Sequence, residues 1–255
     1  MTYRDIQLAA MRQSAIDCGC RAGDFELDHP VIVESVPHDK ARKYLELPFA
    51  CDLVSYGSNV VASVDSRCRG AVAEYLARYP AAYCFETPAL YTLDEGLRPY
   101  GLRVCYMAEY FLPDPAALRQ HGCPYPLRLL GPQDFAALYL PAWSNALCEK
   151  RKELDVLGVG AYDGDRLVGL AACSADCDEM WQIGVDVLPG ARRQGVAAAV
   201  TSRLTAEIFA RGKIPFYCCT WANIRSARTA VKCGFRPAWA ELTAKSAAFT
   251  EEASR

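Results

Sequence analysis

A chain of 255 residues, 52% of them hydrophobic, can bury one large core or two small ones, which excludes disorder. Its 28 basic and 30 acidic residues leave a net charge of −2, which argues against a nucleic-acid partner. Arg4, Asp5, Arg12 and Asp17 interrupt any apolar run in the first twenty residues, and no later segment is apolar enough to span a bilayer, so the expectation is a cytoplasmic protein without a membrane partner.

In chain order, "NVVASV" reads as a strand and "SRCRGAVAEYLARY" as a helix with Ser66 as its N-cap. "AAYCFE" follows as a strand, "PALYTLDEGLRPYG" as a helix and "LRVCYMAEYFL" as a long strand. Pro113, Pro115, Pro124, Pro126 and Pro132 then break regular structure and mark a boundary near residue 122, giving domains 1–121 and 122–255. Beyond it come "PLRLL" as a short strand and "PQDFAALYLPAWSNAL" as a helix interrupted at Pro141. Strands 157–162 and 166–174 form a hairpin around "DGD", and "MWQIGVDVL" is a further strand.

From Gly195 to Arg211, the residues Val196, Val200, Leu204 and Ile208 recur at four-residue spacing and give a helix one apolar face. "IPFYCCTW" is a buried-type strand, "IRSARTAVKCG" a short helix closing on Gly234, and "FRPAWAELTAK" a last strand. The element orders of the two halves match, as do "RCRGAV…YCFET" and "RRQGVA…YCCTW", which points to an internal repeat.

Thirteen cysteines are scattered without a single C-x-x-C pair. The close sets, Cys18 with Cys20, Cys173 with Cys177, and Cys218 with Cys219, lack zinc-site spacing, so reduced thiols and no metal are expected. All three histidines precede residue 122, which counts against a histidine-assisted nucleophile in the second half, Cys218 and Cys219 included. Between Val185 and Arg236 nine basic residues face only Asp186 and Glu207; the segment carries +7 and the remainder −9, a distribution suited to a small polyanionic ligand.

The stretch "VLPGARRQGVAAAV" sits where a strand turns into a helix. The first amides of a helix lack internal partners and point along its positive end, so they suit phosphate oxygens. Gly195 and Ala197 keep the approach open, and Arg192 and Arg193 add charge-assisted bonds. No Walker loop and no G-x-G-x-x-G is present.

Arg192, Gly195 and Ala197 match the Q/R-x-x-G-x-G/A loop of the GNAT acyltransferase superfamily, and "TWANIRSARTAVKCGF" supplies the asparagine, helix and Gly-Phe pair that follow it there. The second half thus resembles that family over about residues 125–245, nearly half the chain. The resemblance implies an α+β fold with a central mixed sheet flanked by helices, preceded by a smaller α/β domain that reads as a degenerate GNAT-like copy. It implies acetyl-CoA as co-substrate and a small-molecule or peptide amine as acceptor, attacked directly on the thioester. The amides of Arg193, Gln194, Gly195, Val196 and Ala197 would hold the pyrophosphate, and the backbones of Val185 and Val187 the pantetheine arm. Asn223 and Ser226 would meet the pantetheine and its thiol end, although Asn223 suits a helix N-cap equally well. Many relatives place a tyrosine seven residues after this asparagine as the general acid; here that position is Ala230, leaving Tyr217, Ser226 or water. The expected base is Glu179 or Asp178, at the start of the preceding strand, where solvated carboxylates are the plainer reading. The missing tyrosine also admits a catalytically silent acyl-CoA-binding or regulatory module.

Overall fold

A computed structural model describes residues 1–253. In chain order the elements are α1 (Tyr3–Cys18), β1 (Val31–Glu34), β2 (Cys51–Ser55), β3 (Val61–Val64), α2 (Arg69–Arg78), α3 (Thr87–Leu97), β4 (Leu102–Pro113), β5 (Leu127–Leu130), β6 (Asp155–Asp163), β7 (Arg166–Ser174), β8 (Met180–Val187), α4 (Val196–Ala210), β9 (Ile214–Thr220), α5 (Ile224–Lys232), β10 (Phe235–Ser246) and α6 (Ala247–Ala253). Contacts divide the chain into two compact units, neither a single run of sequence: one joins residues 1–6 to 111–237, the other joins 7–110 to the chain from 238 onward. Among the described residues no helix is long and apolar enough to cross a membrane.

In the unit built on residues 111–237 the strands lie in the order β4, β9, β8, β7, β6, β5. The expected hairpin is β6 and β7, turning at Gly164 with φ +60°. Strand β8 runs antiparallel to β7 and parallel to β9, and α4 supplies the crossover that parallel strands require. Val196, Val200, Leu204 and Ile208 of α4 are all buried, packed with Leu157, Val159, Val168 and Ile183 of the sheet. A Cβ on Gly169 would lie 2.4 Å from Val196 Cγ1, so the bare glycine lets the first turn of α4 settle on β7.

Two expectations fail in this unit. Residues 132–147 form short 3₁₀ turns, Pro132–Asp134 and Pro141–Trp143, in place of a helix. Each proline starts a turn but cannot continue one, and the amide of Asn145 takes a side-chain carboxylate, that of Asp186, as acceptor, while Ala146 N–H is shared between that carboxylate and the Trp143 carbonyl. The proline-rich run after Pro113 forms no helix and only the short β5, yet it is no free linker: Asp114 N–H donates to the Gly234 carbonyl at 2.9 Å and His121 N–H to Ser202 Oγ at 3.1 Å.

The other unit orders its strands β1, β3, β2, β10, β4. Strand β1 pairs parallel with β3, while β2 runs antiparallel to both β3 and β10. Leu53, Ala62, Val64, Leu242 and Ala244 pack with Val72 and Leu76 of α2 and Leu93 and Leu97 of α3. Two sequence expectations are corrected here. The cap of the 3₁₀ turn leading into α2 is Asp65, whose carboxylate accepts from Arg67 N–H at 2.8 Å; Ser66 lies one residue inside. "AAYCFE" is no strand but a 3₁₀ turn, Ala81–Tyr83, running into α3: Cys84 N–H donates to the Ala81 carbonyl and Glu86 N–H to that of Tyr83, while the Cys84 carbonyl is held by Tyr75 Oη at 2.6 Å. The matching letters "YCFET" and "YCCTW" therefore sit on different elements.

Alternate residues of β2 and β10 carry charge inward. Arg42, 2% exposed, places Nε 3.2 Å from Asp17 Oδ2 and Nη1 3.7 Å from Glu241, and donates through Nη2 to Ser14 Oγ at 3.1 Å. Its guanidinium lies 5.2 Å from the Trp239 ring centroid, and that ring stacks on Tyr110. Asp52, directly opposite Thr243, accepts from its hydroxyl at 2.7 Å. Burial, with the Glu241 charge nearby, pushes the Asp52 carboxyl well up, and burial raises Glu241 as well. Both groups ionise less readily folded than unfolded, so the stability they carry is complete below about pH 4 and is lost as pH rises through their folded values.

Removing the one cation at the centre of these carboxyls leaves buried negative charge uncompensated. Arg42→Met should cost about 3–5 kcal/mol at pH 7. The loss should shrink at pH 5, where the carboxyls can take up protons, as thermal unfolding of variant and parent at both pH values will show.

Candidate active site

The parallel ladder between β8 and β9 begins at Met180 opposite Ile214 and ends at Ile183 opposite Tyr217. Strand β8 continues to Val187 and β9 to Thr220, so the two part for their last residues and leave a cleft edged by main chain. Val185 and Val187, expected to meet an extended ligand arm, lie on this open stretch with side chains packed toward the core beneath α4. Amide and carbonyl groups spaced as in a strand give such a cleft the means to bind a linear amide-bearing chain.

At the mouth of the cleft lies the loop 192–195. Arg193 has φ +63°, the one non-glycine residue with positive φ among the described residues, and Gly195 has φ +81° with ψ 0°. Left-handed residues two apart in a loop that leads into a helix are the kind of backbone from which anion-binding hollows are built. No side chain caps α4, and its first intrahelical bond runs from Ala199 N–H to the Gly195 carbonyl at 3.0 Å, so the amides of Val196, Ala197 and Ala198 precede the ladder. Braces hold the loop: Gln194 Nε2 donates to the Gly190 carbonyl at 3.0 Å, Tyr125 Oη donates to Gln194 Oε1 at 3.2 Å, and a Cβ on Gly195 would lie 3.1 Å from the Gly122 carbonyl.

The two arginines do different work. Arg192 Nε donates to the Val187 carbonyl at 3.0 Å, tying the loop to the end of β8. Arg193 is exposed and, like Arg225 and Arg228, makes no ion pair among the described residues. The +7 of this segment is only partly available, since Arg203 and Arg211 share Glu207 and Arg236 pairs with Asp114.

Tyr217, at the vertex of the parting, and Ser226, on the first turn of α5, meet with 2.8 Å between their hydroxyl oxygens. Tyr217 is buried, and burial pushes its hydroxyl far up, so at neutral pH it is a protonated donor. Asn223 caps α5, its Oδ1 accepting from Ser226 N–H at 3.2 Å, so the capping role is the one seen. Ala230 is fully buried. Glu179 is not brought to this point: it precedes Met180 and stands four residues before Ile183, about 13 Å along an extended strand. Gln182 Nε2 donates to Cys218 Sγ at 3.0 Å just before the vertex. Among the described residues no group of three or more His, Cys, Asp or Glu side chains could hold a metal ion.

Sequence reasoning passed over two carboxylates here. Asp186, between the two valines of the open stretch, accepts through Oδ2 from the amides of Asn145 at 2.9 Å and Ala146 at 3.0 Å, and through Oδ1 from Asn145 Nδ2 at 2.7 Å. Asp155, at the start of β6, accepts from Cys148 N–H at 3.0 Å and Tyr139 Oη at 3.2 Å. The signal for Asp186 was available, as a lone acid in the apolar run "QIGVDVL".

Residues 125–239 match a family model described as GNAT acetyltransferase. A GCN5-related N-acetyltransferase from Kribbella flavida superposes with a TM-score of 0.51 at 18% identity, over 93% of this chain and 95% of that one, which shows the fold. A GNAT-family acetyltransferase from Novosphingobium aromaticivorans aligns at 20% identity and TM-score 0.46, over 56% of this chain and 66% of that one. A GCN5-related N-acetyltransferase from Sphaerobacter thermophilus aligns at 15% identity and TM-score 0.47, over 73% and 72%. Among curated proteins none matches the sequence.

Asp155 offers a pH test of the strand-end packing. Burial is the main cause that raises its carboxyl to about 6, only partly offset by the bonds from Cys148 and Tyr139. Its stability contribution is complete below about pH 4, the unfolded value, and is lost as pH climbs through 6. Asp155→Asn removes that cost. After discounting for screening, the stability of the variant relative to the parent should rise by about 1–2 kcal/mol between pH 4 and pH 7, and urea unfolding across this range will measure it.

Proposed function

We propose that this chain, whose residues 125–239 match the GNAT acetyltransferase family model, transfers the acetyl group of acetyl-CoA to a small-molecule or peptide amine. The observation that carries the reading is the parting of β8 from β9, with the uncapped first amides of α4 following the left-handed Gly195; the hollow and the cleft are read from it. The hollow suits a pyrophosphate, the cleft a pantetheine arm, and the vertex at Tyr217 a thioester. The amides of Arg193 through Ala197 would donate to the pyrophosphate, with the Arg193 guanidinium beside them.

In the reaction the amine nitrogen attacks the thioester carbon, a C–N bond forms and the C–S bond breaks. The amine gives up one proton to water, and the departing thiolate takes one. The Tyr217 and Ser226 hydroxyl pair, at 2.8 Å, is suited to supply it in place of the tyrosine many relatives carry where Ala230 stands here. A silent acyl-CoA-binding module is the second reading, favoured by that buried alanine.

Calorimetry with acetyl-CoA and a thiol-release assay with spermidine, kanamycin and a lysine-containing peptide separate the two. Transfer predicts thiol release above the hydrolysis rate for at least one amine; tight binding without release supports the silent module. Ala197→Glu should weaken acetyl-CoA binding by about 100-fold or more while leaving thermal stability intact, because a carboxylate in the first turn of α4 favours the helix by about 0.3–1 kcal/mol yet repels phosphate. Tyr217→Phe should lower kcat about 10²-fold at unchanged acetyl-CoA affinity. Parent-like values for either variant would count against the assignment.

A further inference from the structure

Asp186 is the polar tether of a second wall of this site. We infer that it acts as a positioning residue, holding residues 141–147 across the open half of β8 as the surface against which the acceptor amine lies. The inference rests on the acetyl-transfer reading above and goes beyond it in naming the acceptor side and what builds it.

Alternation along β8 sets the argument. Ile183, Val185 and Val187 face the core beneath α4, so one face of the cleft is filled. Gly184 and Asp186 point to the other face, the only one of the two from which an amine can reach a thioester lodged at the vertex. Residues 145 and 146 lie there. A Cβ on Gly184 would fall 1.8 Å from the Asn145 carbonyl oxygen and 3.1 Å from Ala146 Cα, so chain and strand touch at the first residue beyond the ladder. Two apolar anchors, Trp143 and Leu147, bind the segment to Leu170 and Ala172 of β7. Between those anchors the chain makes a single turn, with Ala146 and Leu147 N–H on the Trp143 carbonyl at 3.1 and 2.9 Å, and the three N–H donors of Asn145 and Ala146 converge on the one carboxylate of Asp186, which Ala146 shares with that carbonyl.

A carboxylate beside a thioester site also suggests a general base. The geometry points away from that role: three of its acceptor positions are occupied by fixed donors, two of them main-chain amides that stay in place throughout catalysis. The two roles predict different behaviour on substitution. An asparagine keeps an oxygen for the two amides, and the Asn145 side chain can turn to present its own oxygen to the new NH₂, so the tether survives. A base does not survive that change.

Asp186→Ala and Asp186→Asn, made in the full chain, provide the test. Hydrogen exchange at the amides of Asn145 and Ala146 reads the tether without any acceptor, calorimetry reads acetyl-CoA binding, and thiol release with spermidine, kanamycin and the lysine peptide reads the wall. For Asp186→Ala we expect faster exchange at Asn145, with a smaller change at Ala146 because it keeps the Trp143 carbonyl, an acceptor KM raised about tenfold or more, and acetyl-CoA affinity within about twofold of the parent. Asp186→Asn should keep the parental exchange rates and pH profile. Unchanged exchange and KM in Asp186→Ala would overturn the inference alone, as would an Asp186→Asn enzyme that loses kcat and the acid limb of its pH profile. A parent protein that fails to bind acetyl-CoA would overturn the underlying reading and the acceptor wall with it, whatever the exchange data show for the tether.

Discussion

The parting of β8 from β9 after Ile183 and Tyr217 is the constraint on which the rest of the site depends. Parallel neighbours need a crossover, and here α4 is that crossover, so its N-terminus comes back to the end of β8 at the mouth of the gap. One geometric event therefore produces the cleft, its main-chain edges and the helix amides that close it. The small residues follow: Gly169 admits the first turn of α4, Gly184 admits the Asn145 carbonyl, and Gly195 takes the left-handed conformation that starts the helix. Larger side chains at the first two positions would drive apart the layers that shape the site.

What was legible in the sequence is what backbone and periodicity encode. The apolar spacing of α4, the turn between β6 and β7 and the strand preceding the loop all appear where the pattern places them, and the loop announces itself through Gly195 and Ala197 because its chemistry is main chain. What stayed hidden is what depends on pairing across the fold. The bond between Tyr217 and Ser226 needs the register of β9 against α5, and the division of labour between Arg192 and Arg193 needs the dihedral angles of the loop. Helix α1 escaped notice for another reason. Its buried face includes Gln13, Ser14 and Asp17, polar residues that bond one another or Arg42, so the amphipathic pattern is blurred where it is most occupied.

The two units handle charge in opposite ways. Around Arg42, carboxylates are taken into the interior, where each must be compensated and where Asp52 and Glu241 hold their protons more tightly than in water. Around the β8–β9 cleft, Arg193, Arg225 and Arg228 stay at the surface among the described residues, without ion-pair partners. Buried charge of the first kind is costly to break, because removing one partner leaves the other uncompensated. Surface charge of the second kind is weakly committed and available to an incoming anion, at the expense of sensitivity to salt. A net charge near zero for the whole chain conceals both.

The proton economy of the proposed reaction follows from the same placements. Tyr217 is buried and neutral, so it carries a proton that a leaving thiolate can take up and cannot accept one from an incoming amine, while burial weakens it as an acid and leaves the Ser226 hydroxyl beside it to relay a replacement proton. Glu179 lies too far back along β8, and Asp186 has its oxygens engaged by Asn145 and Ala146. None of these groups is placed to deprotonate an ammonium at the vertex, so the acceptor has to arrive as the free amine or lose its proton to solvent. A positioned base is worth about 10²–10⁴ in rate, and a site working without one recovers part of that by holding the amine in line with the thioester. Orientation would then matter more than acid–base assistance, and under the acceptor-wall inference it is the pinned segment over Gly184 that would supply it.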